Sequence, residues 1–142
     1  DIKFSNAHNV ASKEQAFNLH VMVVEDNNIN QMVIKGLLNK FGIQPTVVEN
    51  GAIAVQEHAS TNNPYDLILM DCEMPVMDGY EATQRIRDLE TNKDQTTPII
   101  GLSAHATSDF VNTAIEAGMD SFLSKPINRK ELQQTLTNLS QT

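Results

Sequence analysis

From residue 20 onward the chain alternates short apolar runs with longer amphipathic stretches, and this alternation restricts its fold more than any other feature. The runs are HVMVV (20–24), PTVV (45–48), YDLILM (65–70), TPIIGLS (97–103) and SFLS (121–124). A strand that is apolar at successive positions presents apolar groups on both faces. It belongs in a parallel sheet covered by helices on each side.

Helix signals fill the gaps. The first helix is expected from about Asn28 to Phe41, with Ile29, Met32, Val33, Leu37 and Phe41 on its buried side and a stop at Gly42. A second runs from about Ala52 to Ala59. The third starts at the N-cap Asp78, has Glu81 three residues on, and is expected to bury Ala82, Ile86 and Leu89. The fourth spans about Ser108 to Ala117 and ends at Gly118. In the last, Asn128 caps with Glu131 at N3, and Ile127 and Leu132 stand where a hydrophobic staple would join them. The whole reads as (βα)5. Right-handed crossovers make a doubly wound sheet the economical layout, with functional groups beyond the carboxyl ends of the strands.

The 142 residues suffice for one domain and leave no room for a second. Residues 1–19 are polar and without sustained period, so they read as a linker or tail, and 20–142 as the domain. The net charge of −8 disfavours nucleic acid and anionic membranes as partners. Cys72 is the sole cysteine, which excludes an internal disulfide and a thiolate zinc site and fits a reducing cytoplasm. No apolar run approaches the roughly 18 residues of a membrane span. A membrane anchor upstream in a longer parent protein, in the inner membrane, is compatible with this reading.

The polar residues that follow the strands are the chemically interesting ones. Glu25 and Asp26 follow the first strand, Asp71 the third, Ser103 the fourth and Lys125 the fifth. Three carboxylates held together need compensating positive charge, which Lys125 and a divalent cation would supply. An all-oxygen donor set selects a hard ion, and Mg²⁺ (or Mn²⁺) is expected. A carboxylate beside such an ion, a lysine and a hydroxyl is equipment for phosphoryl transfer, with Asp71 as nucleophile.

The strings VVEDNNINQ, MDCEMPVMDGYEA, PIIGLSAHA and GMDSFLSKPI resemble the signature segments of two-component receiver domains, particularly those of hybrid sensor histidine kinases. The resemblance covers roughly residues 20 to 140. It implies a flavodoxin-like fold with strand order 2-1-3-4-5. It also implies that Asp71 is phosphorylated, that Asp26 binds the metal directly and Glu25 through water, and that the Glu73 backbone carbonyl completes the protein's metal ligands. Ser103 matches the switch hydroxyl, Lys125 the family's lysine, and Phe122 the aromatic switch. The Lys125–Pro126 bond is expected to be cis. Glu25 stands where aspartate is more frequent, and Phe122 where tyrosine is common.

The same resemblance implies a phosphohistidine donor kinase domain and a histidine phosphotransfer domain as partners. No histidine box and no nucleotide-binding glycine boxes mark the chain as a kinase. A receiver within a hybrid sensor kinase is favoured over a free-standing regulator, because the polar lead reads as a tether and no DNA-binding output segment follows the last helix. An aspartyl-phosphate phosphatase of the haloacid dehalogenase type would place its nucleophile after the first strand, with a second aspartate two residues on. Here the candidate follows the third strand and position 73 is Glu. A flavin-binding relative would need a Ser/Thr/Gly-rich loop where EDNNINQ stands. Cys72 and His105 lie beside the site without an assigned role.

Overall fold

The computed structural model describes residues 16–74, 76–91, 96–105 and 107–140. Five strands alternate with five helices: β1 (Val21–Val24), α1 (Asn28–Lys40), β2 (Thr46–Val48), α2 (Gly51–Ser60), β3 (Leu67–Asp71), α3 (Gly79–Leu89), β4 (Ile99–Ser103), α4 (Ser108–Ala117), β5 (Ser121–Ser124) and α5 (Arg129–Ser140). The sheet is wholly parallel, in the order β2-β1-β3-β4-β5.

The doubly apolar strands divide their side chains between two cores. Met22, Val24, Ile68, Met70 and Ile99 pack with Ala54 of α2, Ala82 and Ile86 of α3, and Phe110 and Ala114 of α4. On the opposite face, Val21, Val23, Leu67, Leu69, Ile100 and Leu102 pack with Ile34 and Leu38 of α1 and Leu132 and Leu136 of α5. The alternation follows from the strand period of two, and both faces are covered as the composition of the runs requires.

Each helix starts on a side-chain cap: Asn27, Asn50, Asp78, Thr107 and Asn128 accept hydrogen bonds from Asn30, Ile53, Glu81, Phe110 and Glu131 amides respectively. Gly42 and Gly118 follow α1 and α4 with φ of +80° and +107°, the left-handed conformation that glycine adopts without a Cβ penalty.

The sequence misplaces three features. In α1 the buried residues are Ile34 and Leu38, with Phe41 just beyond, whereas the expected core residues Ile29, Met32 and Val33 are exposed. The helix carries overlapping apolar stripes, and the one turned to the sheet is Ile34–Leu38–Phe41. Leu89, expected in the core, is exposed at the end of α3, and Thr83 is buried instead. Phe17 falls in the expected tail, yet it is buried, packs edge-to-face on Phe41 at 5.8 Å and donates its amide to the Phe41 carbonyl. The ordered core therefore takes in chain before residue 20. Residues 1–15 of the expected tail lie outside the described residues. No helix among the described residues is long and apolar enough to cross a membrane.

Candidate functional site

Strand register brings the chemically active residues to one edge. Val24 pairs with Met70, Asp71 with Leu102, and Ser103 with Ser124, so the carboxyl ends of β1, β3, β4 and β5 are level. The pairing runs one residue further between β1 and β2 and between β3 and β4: the Glu25 amide donates to the Val48 carbonyl and the Cys72 amide to the Leu102 carbonyl. Glu25, Asp71, Ser103 and Lys125 are thereby fixed by backbone pairing rather than by loops. This is the edge at which open parallel sheets bind ligands.

Lys125 bridges the two buried acids. Its Nζ lies 2.9 Å from Glu25 Oε1 and 3.0 Å from Asp71 Oδ1. Asp71 Oδ1 also accepts from the Glu73 amide at 3.2 Å. Glu25 is fully buried and accepts from the Asn27 amide at 3.2 Å, while its carbonyl is held by Gln31 Nε2 at 2.6 Å. The Lys125–Pro126 peptide is cis, as the sequence leads one to expect.

The two carboxylates respond oppositely to this setting. Burial pushes Asp71 up to about 6, an effect that Lys125 and the Glu73 amide only partly offset and that the Glu25 charge reinforces. Burial also acts to raise Glu25, but Lys125 and the Asn27 amide outweigh it and hold that carboxyl below its usual range. For Lys125 burial acts to lower the ammonium, and its two carboxylate partners raise it above the ordinary lysine value. Burial drives the Cys72 thiol up to about 12, so it is no nucleophile at neutral pH.

Glu25, Asp26 and Asp71 each offer a carboxylate oxygen, and these oxygens lie within 4.8 Å of one another. Asp26 is exposed, whereas the other two are buried. One lysine cannot neutralise three carboxylates, so the cluster retains negative charge and suits a hard divalent cation by both charge and donor type.

Ser103 is fully buried, and its Oγ does not cap the helix that follows, since Thr107 does so. It donates instead to Glu73 Oε2 at 2.9 Å and accepts from the His105 amide at 2.9 Å. Phe122 is half-buried and meets Phe110 edge-on, with ring centroids 5.6 Å apart. Two participants escaped the sequence reading. Glu73 was expected to act through its backbone, but its side chain engages Ser103, and Gln31 anchors the backbone at Glu25. The first contact joins the loop after β3 to the end of β4, while the second reaches back six residues from the start of α1, and neither side chain belongs to a spacing motif.

Residues 21–137 match the response regulator receiver domain family. The chain belongs to that family. The receiver domain is 41% identical over 130 residues to probable histidine kinase 2 of Oryza sativa subsp. indica, a match that covers 83% of this chain and 12% of that protein. Among solved structures, it resembles the receiver domain of the sensor histidine kinase PA1611 from Pseudomonas aeruginosa PAO1, crystallised with magnesium coordinated in its active-site cleft. The identity is 40%, the TM-score 0.77, and the match covers 87% of this chain and 98% of the other. It also resembles the receiver domain of Ssk1 from Saccharomyces cerevisiae in co-crystals with the histidine phosphotransfer protein Ypd1, at 30% identity and TM-score 0.79, covering 89% and 91% of the two chains. The flavodoxin-like fold expected from the sequence is the fold of this receiver domain.

Proposed function

We propose that Asp71 accepts a phosphoryl group from a phosphohistidine and that the resulting acyl phosphate switches the partners of this receiver domain. The observation that carries the proposal is the Lys125 bridge between two buried acids, set beside a third carboxylate. An Asp71 carboxylate oxygen attacks phosphorus in line, the phosphorus–nitrogen bond breaks, and the donor imidazole leaves with the bonding pair. Glu25, Asp26, Asp71 and the Glu73 carbonyl would hold Mg²⁺, which supplies charge neutralisation for the phosphoryl oxygens. Lys125 offers its ammonium to the same oxygens while keeping Glu25 ionised. Ser103 then turns its hydroxyl to a phosphoryl oxygen, and Phe122 repacks beside it.

The donor must cover the cleft mouth to reach Asp71. Ile29, Met32 and Val33 expose an apolar patch on α1, and Val33 continues into a pocket with Asn30, Ile34, Lys125, Pro126 and Ile127. An apolar surface beside the reacting carboxylate suits a protein partner such as a histidine phosphotransfer domain. A parent hybrid sensor kinase would deliver the phosphoryl group to this receiver domain for onward relay. The test is incubation with a histidine phosphotransfer domain carrying radiolabelled phosphohistidine. Label should move to the wild-type chain in the presence of Mg²⁺ and not to Asp71→Asn; transfer to the variant at the wild-type rate would refute the assignment.

A further inference from the structure

Ser103 Oγ has one proton to give. It accepts from the His105 amide at 2.9 Å, which turns that proton toward Glu73 Oε2, 2.9 Å away. The same Glu73 oxygen lies 3.3 Å from His105 Nδ1, so the carboxylate is held between a side chain and a hydroxyl of the β4–α4 side of the cleft. Glu73 itself sits in the loop after β3, two residues beyond Asp71. Its carboxylate thus ties the loop that follows Asp71 to the strand end carrying the hydroxyl.

The geometry points to the Glu73 side chain as a positioning residue: a latch that holds the Ser103 hydroxyl in the resting state and must release it before that hydroxyl can serve a phosphoryl group on Asp71. This rests on the phospho-acceptor reading of Asp71. The two engagements exclude each other, because a single hydroxyl proton cannot be donated at full strength to the Glu73 carboxylate and to a phosphoryl oxygen together. Forming the Ser103–phosphoryl bond costs the Ser103–Glu73 bond, and the equilibrium between resting and switched arrangements is set partly by Glu73. Released from Ser103, the carboxylate still has His105 Nδ1 as a neighbour at 3.3 Å. The role is separate from the one expected of the Glu73 backbone carbonyl, which a side-chain substitution leaves in place.

The competing explanation is charge alone, since removing any carboxylate near the cleft helps an anion bind. A double-mutant cycle separates the two. Affinity for beryllofluoride with Mg²⁺, a mimic of the phosphorylated state, would be measured for wild type, Glu73→Ala, Ser103→Ala and the double variant. Losing a hydrogen bond to a half-exposed carboxylate predicts that Glu73→Ala tightens binding about threefold to tenfold. In the Ser103→Ala background that gain should shrink to less than about twofold, because no hydroxyl remains to be released. Glu73→Gln keeps an acceptor and should fall between the two. In metal-free protein, the His105 amide resonance should also move in Glu73→Ala, since its acceptor Ser103 Oγ loses the partner that orients it. Equal gains with and without Ser103 would overturn the latch and leave Asp71 as acceptor. Absence of any beryllofluoride binding by the wild type would overturn both.

Discussion

At the scale of single residues, Asp71 pays for its position in the metal-free protein. Its folded pKa of about 6 lies above the ordinary aspartate value, so ionisation opposes folding. The sign follows directly: the penalty is absent below about pH 4, grows as pH rises toward 6, and is complete above it. Asp71→Asn should therefore stabilise the metal-free domain at pH 7.5 by up to about 3 kcal/mol, an advantage that vanishes near pH 4. Thermal unfolding across pH in chelator would show it. A variant equally stable to wild type at both pH values would contradict the burial argument. The sequence led to Glu25, Asp26, Asp71, Ser103 and Lys125 because each stands at or just beyond the end of a strand, and strand ends are fixed by backbone pairing. The Glu73 side chain was hidden because its partner Ser103 lies 30 residues away across the sheet edge, and Gln31 because its bond to the Glu25 carbonyl, six residues back, follows no capping pattern.

At the scale of elements, helix positions were readable while one helix face was not. Asp78, Asn128, Gly42 and Gly118 mark their helix ends through local chemistry that acts within a few residues. Which stripe of α1 turns inward is a tertiary matter, and Ile34 and Leu38 prevail over Ile29, Met32 and Val33. Of the apolar residues that α1 leaves outside the core, Val33 lines the pocket at Lys125, where the proposed phosphohistidine donor would dock. Ile29→Ala combined with Met32→Ala should slow phosphoryl transfer from a histidine phosphotransfer domain about tenfold while changing phosphorylation by a small phosphodonor less than about twofold. Comparing the two donor rates checks this. Equal loss with both donors would mean that the substitutions disturb the cleft rather than docking.

At the scale of the whole molecule, five doubly apolar strands dictate the architecture: each needs helices on both sides, and the two cores divide their side chains by parity. Phe17 extends the second core before the first strand, which the sequence hid because one aromatic residue in a polar stretch has no period to reveal it. The sheet holds Glu25, Asp71, Ser103 and Lys125 level, the arrangement that the proposed phosphoryl transfer to Asp71 requires. The most direct measurement is mass spectrometry of the protein treated with acetyl phosphate and Mg²⁺ and quenched in acid. The expected result is the added mass of one phosphoryl group, mapped to Asp71, and its loss in Asp71→Asn or in chelator. A wild-type chain that stays unmodified, or a phosphoryl group that persists in the Asp71→Asn variant, would contradict it.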